Sequence, residues 1–167
     1  MDFSNFLILY SGGADSTYFI EKEETAKHLI HFKSRNQDQT NVAITNANIL
    51  DRHLNIVRHG TGTSGDGETN QIHALYDTEM ALHASIIALS YGMKGIVMGF
   101  NADDLGIDTE SIEKIIRRAD PQFQLLQPLR AMKASDIRSA LRTSTLKTVS
   151  CMNAFACGYC AKCRRSY

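Results

Sequence analysis

Phe6-Leu7-Ile8-Leu9-Tyr10, followed directly by Ser11-Gly12-Gly13-Ala14-Asp15-Ser16-Thr17, is the stretch on which the fold turns. The first five residues form an apolar run bounded by Asn5 and Ser11, too short for a helix and suited to a buried strand. Two consecutive glycines then let the backbone turn sharply and approach a ligand closely. From Asp15 to about His28 the pattern predicts a helix, with Glu and Lys on one face and Phe19 and Ile20 on another. Strand, glycine turn and helix in succession form the opening unit of an α/β sheet.

Downstream the same alternation continues. His28–Phe32 and Asn55–Arg58 read as strands. Between them, Thr40 to about His53 reads as a helix of weak propensity, because Asn and Thr are frequent in it. Residues 60–70, GTGTSGDGETN, hold four glycines and no apolar side chain, so a flexible loop is expected there. Glu79–Tyr91 is the strongest helix, stopped by Gly92. Gly95–Phe100 reads as a buried strand and 101–108 as an acidic loop. Asp108 or Thr109 is expected to cap a helix running to Arg118. Phe123–Leu126 is a further strand, and Ser135 is expected to cap a helix through Leu141.

The alternation predicts a doubly wound, mostly parallel α/β sheet over residues 1–149, with a cysteine-rich tail, 150–167, packed on the same domain. The 167 residues suit one domain that buries roughly two-thirds of its unfolded surface. Eighteen Lys and Arg balance eighteen Asp and Glu. Nothing in that balance predicts a global attraction to lipid or nucleic acid, and no direct nucleic-acid partner is expected. The apolar run at 6–10 is too short for a signal peptide or a membrane span, so a soluble, cytoplasmic protein is expected.

The glycine turn sits where open α/β sheets bind ligands. The N–H groups of a helix start point at an anion and its dipole favours negative charge. The hydroxyls of Ser11, Ser16 and Thr17 can donate to phosphate oxygens. A carboxylate at Asp15 is unfavourable beside phosphate unless Mg²⁺ or a substrate group lies between them. The turn lacks the Gly-Lys-Ser/Thr ending of a Walker A loop and the third glycine of the dinucleotide fingerprint. Gly-Gly alone would be read as a tight turn with Ser and Thr capping a helix; between a strand and a helix, a phosphate cradle is the other reading.

All four cysteines lie in the last seventeen residues. Cys157, Cys160 and Cys163 are separated by two residues each, and five residues separate Cys151 from the first of them. Such spacing lets four thiolates close on one tetrahedral Zn²⁺. An iron–sulfur cluster and a reduced, metal-free tail are the alternatives. The six histidines are scattered with no ligand spacing, and Met93, Met98 and Met132 read as core filler.

Ser11-Gly12-Gly13-Ala14-Asp15-Ser16 resembles the Ser-Gly-Gly-x-Asp-Ser loop of the N-type ATP pyrophosphatases, which cleave ATP to AMP and pyrophosphate. Taken with Cys151…Cys157-Gly158-Tyr159-Cys160-Ala161-Lys162-Cys163, the chain resembles the 7-cyano-7-deazaguanine synthases. Gln127-Pro128-Leu129 and Lys133 are similar to a further segment of that family. The resemblance implies an ATP-dependent ligase with ATP, Mg²⁺ and Zn²⁺ as cofactors. Its substrates would be 7-carboxy-7-deazaguanine and ammonia, its products the amide and then the nitrile. Ser11, Gly12, Gly13, Ser16 and Thr17 would cradle the phosphates and Asp15 would act through Mg²⁺. Asp15, Ser16 and Lys133 would be catalytic, Asp103 and Asp104 would bind the purine-like edge, and Cys151, Cys157, Cys160 and Cys163 would hold zinc. A homodimer is also implied. Read without the resemblance, Lys133 is a surface lysine near a helix start, and Asp103 and Asp104 belong to a solvated acidic loop.

The chain departs from the family at Asp77-Thr78-Glu79-Met80, where the family carries Pro-Gly-Arg-Asn, and at Lys33-Ser34-Arg35-Asn36, where it carries Asp-Tyr-Gly-Gln. A related deazapurine, or a different carboxylate altogether, is therefore an alternative substrate. A tRNA-modifying ATP pyrophosphatase would want a basic surface and a reactive cysteine beyond the cluster. A zinc-ribbon interaction module on a degenerate nucleotide fold is the non-catalytic alternative.

Overall fold

The computed structural model describes residues 1–33, 36–58 and 70–151. Ten elements alternate along the chain: β1 (Phe6–Leu9), α1 (Ala14–Lys22), β2 (His28–Lys33), α2 (Gln37–Ile49), β3 (His53–Arg58), α3 (Asn70–Ser90), β4 (Gly95–Met98), α4 (Thr109–Ile116), β5 (Gln124–Leu126) and α5 (Ala134–Leu141). The five strands form one sheet in the order β3-β2-β1-β4-β5, and every pairing is parallel. This is the doubly wound α/β architecture predicted from the alternation.

Strand periodicity divides the core in two. Phe6, Ile8 and Tyr10 point to one face and pack with Phe19 and Ile20 of α1, Ala43 and Ala47 of α2, and Ile137 of α5. Leu7 and Leu9 point to the other face and meet Ala81, Ala84 and Ala88 of α3 and Ile112 and Ile116 of α4. The sheet is thus covered on both faces, which is why β1 and β4 read as unbroken apolar runs. The alanine stripe of α3 lets that helix lie close on the sheet. Ser85 joins the stripe because its hydroxyl donates to the Ala81 carbonyl at 2.7 Å.

Element ends differ from the sequence reading for identifiable reasons. Helix α1 stops at Lys22, six residues before the expected His28. Its last carbonyls are taken by a distant cation: Arg52 donates to Glu24 O at 2.7 Å and to Glu23 O and Ile20 O at 3.4 and 3.5 Å. A guanidinium there also complements the negative end of the helix dipole. Helix α2 begins at Gln37 rather than Thr40, because Asn36 caps it, accepting from Asp38 N and Gln39 N. Helix α3 begins at Asn70 rather than Glu79, since no Gly or Pro interrupts the chain between them. At its other end Gly92, at φ +65°, closes a Schellman motif with Met93 N on Ala88 O at 2.9 Å. Of the two candidate caps for α4, Asp108 is the one used, accepting from Ser111 N at 3.1 Å. Ser135 does not cap α5. Lys133 occupies the N-cap position without a side-chain bond, and the Asp103 carboxylate reaches across to accept from Ala134 N at 2.8 Å.

The loop expected at 60–70 lies almost wholly outside the described residues. No helix among the described residues is long and apolar enough to cross a membrane.

Candidate functional site

The strand order reverses between β1 and β4: the chain leaves β1 toward β2 and returns to lie on its other side. The crevice above the carboxyl ends of those two strands is the ligand position of an open α/β sheet. The turn 11–13 follows β1 there, and the loop 99–104 follows β4.

Gly12 has φ +78°, and a Cβ on it would lie 2.8 Å from the carbonyl oxygen of Gln39. Glycine is therefore required twice, for backbone conformation and for the close approach of α2. Gly13 is the N-cap of α1, extended at φ −79° and ψ 172°, and supplies no side-chain cap. The N-terminus of α1 is thus left to be capped by something else, the arrangement used for phosphate. Two hydroxyls brace the turn. Ser11 Oγ accepts from Gly13 N at 3.2 Å, Ser16 Oγ donates to Gly13 O at 3.3 Å, and the two oxygens lie 3.1 Å apart. Thr17 is fully buried, its hydroxyl 3.2 Å from that of Tyr10. Thr17 therefore helps to fix α1 from within.

On the β4 side, Gly99 comes so close to α1 that a Cβ would lie 3.2 Å from Ser16 N. Asn101, only 3% exposed, donates from Nδ2 to Asp15 Oδ1 at 3.0 Å, joining the two loops. Its own position is fixed on all sides: Asp104 Oδ2 accepts from its N–H, its Oδ1 accepts from Asp103 N, and its carbonyl accepts from Arg130 Nη1 at 2.6 Å. Arg130 also donates to Asp104 O at 2.8 Å. Gly106, at φ +77°, leaves room for that guanidinium, since a Cβ there would meet Arg130 Nη2 at 2.9 Å. Asn101 and Arg130 are missing from the sequence reading, and a single Asn or Arg in a polar loop carries no signal that would have found them. Asp103 and Asp104 each spend one carboxylate oxygen inside the protein, Asp103 on α5 and Asp104 on Asn101. Lys133 is exposed beside them at the start of α5. Arg130→Met should leave the loop's carbonyls to water and let Asn101 shift. We expect a small loss of thermal midpoint, read by circular dichroism.

A buried polar chain runs beneath the turn. His31, 1% exposed on β2, bonds the Tyr10 carbonyl through Nδ1 at 2.9 Å and Thr40 Oγ1 through Nε2 at 3.0 Å. A carbonyl only accepts, so Nδ1 carries the proton and Nε2 accepts from Thr40. Burial holds the His31 pKa below its ordinary value, so the ring stays neutral. In the unfolded chain the same ring binds a proton below about pH 6.5. The unfolded state then holds more protons than the folded one, and stability falls as pH drops through that region, by at most about 1.4 kcal/mol per pH unit for one group. Urea midpoints between pH 7 and pH 5 should fall more steeply for the native chain than for His31→Gln.

Cys151 is buried, 4% exposed, and lies in the same region: Asn36 Nδ2 donates to its carbonyl at 3.2 Å. Cys157, Cys160 and Cys163 lie outside the described residues. Among the described residues no group of three or more His, Cys, Asp or Glu is arranged to hold a metal. For Mg²⁺ at the turn, a single oriented carboxylate beside hydroxyls is a fitting donor set, because that ion keeps waters and takes its other ligands from substrate phosphates.

The architecture and the position of the turn define an adenine-nucleotide alpha-hydrolase-like α/β fold. No protein-family model matches the chain, and no curated protein matches it in sequence. Among solved structures the fold is similar to that of the U34-tRNA thiolase NcsA from Methanococcus maripaludis with its [4Fe-4S] cluster. The TM-score is 0.60 at 12% identity, covering 96% of this chain and 63% of that one. A predicted subunit of tRNA methyltransferase from Methanocaldococcus jannaschii aligns with a TM-score of 0.49 at 16% identity, over 82% of this chain and 73% of that one. At these identities the likeness is one of fold, and this chain spans less than two-thirds of the thiolase's length.

Proposed function

We propose that the chain is an ATP pyrophosphatase-type enzyme that binds ATP at Ser11–Thr17 and transfers AMP to an acceptor oxygen, releasing pyrophosphate. The observation that carries this reading is the turn: a glycine-lined helix start without a side-chain cap, at the strand-order switch, with Asp15 tied to Asn101 across the crevice. The amides of the α1 start and the hydroxyls of Ser11 and Ser16 would exchange their internal bonds for phosphate oxygens. Asp15 would meet the polyphosphate through Mg²⁺, which neutralises charge on the leaving pyrophosphate. Lys133 would supply a second cation from the start of α5. Asp103 and Asp104 would offer their Oδ1 atoms to the N–H edge of a purine-like base.

The acceptor we favour is the carboxylate of 7-carboxy-7-deazaguanine, on the strength of the turn and the cysteine spacing together. A carboxylate oxygen attacks the α-phosphorus and the bond to pyrophosphate breaks. Ammonia then attacks the carboxyl carbon, AMP leaves, and the amide forms with loss of a proton. Adenylation of the amide oxygen, followed by loss of AMP and both amide protons, leaves the nitrile. The chain's part is positioning and charge stabilisation. Cys151, Cys157, Cys160 and Cys163 are proposed as a structural zinc site; iron and sulfide in the purified protein, in place of zinc, would assign a cluster instead. A homodimer pairing a sheet edge, β3 or β5, is proposed as well, and a monomeric mass by light scattering would remove it.

A second acceptor, a tRNA base, is favoured by one specific observation. Charge is split along the chain: residues 121–167 hold eight of the 18 Lys and Arg but one of the 18 Asp and Glu, a formal +7 against −7 for residues 1–120. A positive C-terminal third suits a polyanion although the whole chain is neutral.

One assay separates the acceptors. ATP, Mg²⁺ and ammonium are supplied with either 7-carboxy-7-deazaguanine or total tRNA, and AMP is followed. AMP with amide or nitrile assigns the ligase. AMP that requires tRNA and falls with added salt assigns tRNA modification. No AMP in either arm sinks both. Asp15→Asn should lower AMP formation on the order of 100-fold in whichever arm responds.

A further inference from the structure

Helix α2 poses a question that its propensity raises and the nucleotide reading does not answer: it is rich in Asn and Thr, yet Asn46 is fully buried, and Asn36 and Thr40 are 1% and 3% exposed. The residues after α5 supply the answer. Asn46 grips the backbone of Lys147 from both sides, donating from Nδ2 to its carbonyl at 2.7 Å and accepting its N–H at Oδ1 at 3.3 Å. Gln39 Nε2 donates to Val149 O at 3.2 Å, and Asn36 Nδ2 donates to Cys151 O at 3.2 Å. Residues 147, 149 and 151 are therefore held one after another by α2, the alternation of an extended chain. On its other side the same segment meets the turn. Val149 N donates to Gly12 O at 2.9 Å, and Ser150 Oγ lies 3.7 Å from where a Gly13 Cβ would be. Gly12 is thus clasped between the Gln39 carbonyl of α2 and the backbone of Val149. Asn46 extends the link inward, since its Nδ2 also donates at 2.8 Å to the hydroxyl of Tyr10, which touches Thr17.

We propose that residues 147–151 form a strap that fixes the nucleotide turn, and that Asn36, Gln39 and Asn46 are positioning residues for it. By occupying the Gly12 carbonyl, the strap sets the peptide plane of Gly12 and hence the aim of the neighbouring amides at phosphate. The helix accepts a poor helix former at buried Asn46 and in return grips a backbone that no sheet pairs. The strap also sets Cys151 two residues from the clasped Val149. Nucleotide affinity and the order of this segment are therefore coupled, and the coupling is reciprocal.

The inference rests on the nucleotide reading of the turn, and the test separates the two. Amide hydrogen exchange is measured on the full chain with and without ATP–Mg²⁺, together with ATP affinity by calorimetry. The native chain should show slowed exchange in the turn and in the peptide containing 146–151. Gln39→Met keeps the length of the side chain and removes its donor; it should weaken ATP about five-fold and abolish the protection of the strap. Asn36→Ser keeps a competent cap for α2 and removes the bond to Cys151, and should act in the same direction if Gln39→Met fails to fold. ATP protecting the turn alone, with either variant binding ATP like the native chain, overturns the strap and leaves the nucleotide reading standing. No protection and no heat of binding in the native chain overturns both.

Discussion

Gly12→Ala is expected to abolish useful ATP binding while leaving a folded protein. Two costs fall on one methyl group. The backbone at φ +78° is a region where an L side chain is strained by about 1–2 kcal/mol. The new Cβ would lie 2.8 Å from the Gln39 carbonyl, a backbone atom of a helix held to the sheet by Ala43 and Ala47. Neither α2 nor the strap can yield without breaking buried bonds, so the turn itself must move. A displacement of a few tenths of an ångström misaims the helix-start amides, and we expect affinity to fall on the order of 100-fold. Calorimetry with ATP–Mg²⁺ reads the loss, and circular dichroism reads the retained fold. Native-like affinity in this variant would mean that phosphate is not held by this backbone.

Gly95→Ala acts on the fold rather than on the site, and its effect should be larger still. Gly95 sits in β4 between Phe6 of β1 and Gln124 of β5. A Cβ there would collide with the Gln124 carbonyl oxygen and fall 3.0 Å from the Phe6 ring. Phe6 is buried in the core and the Gln124 carbonyl is fixed in β5 by its pairing with β4, so relief requires β5 to separate from β4. The expected loss is more than about 4 kcal/mol, against a typical total stability of about 5–15 kcal/mol. Soluble yield should collapse, and any soluble fraction should lack a cooperative thermal transition. A stable Gly95→Ala protein would show that β5 is not paired as described.

The class of fold was legible because its signals are local and periodic. Apolar runs at 6–10 and 95–98, separated from amphipathic segments by glycine, require strands covered on both faces. The turn at 11–17 was legible for the same reason: adjacent glycines between a strand and a helix have few structural alternatives. Element ends were less legible where a distant residue sets them. Arg52 ends α1 from across the chain, and Asp103 starts α5 where Ser135 offered a nearer cap. A local reading assigns a cap to the nearest polar residue, but a helix end is satisfied by whichever donor or acceptor the folded chain brings to it.

The sequence by itself determined that this chain is an open α/β sheet with a glycine turn at its first strand, because periodicity and glycine act within a few residues of themselves. Only the tertiary structure decided what surrounds that turn. Asn101 reaches Asp15 across 86 positions, and Asn46 grips Lys147 across 101. Side-chain amides carry no periodic signature, and their roles appear only when folding removes water and leaves each buried donor and acceptor to find a partner.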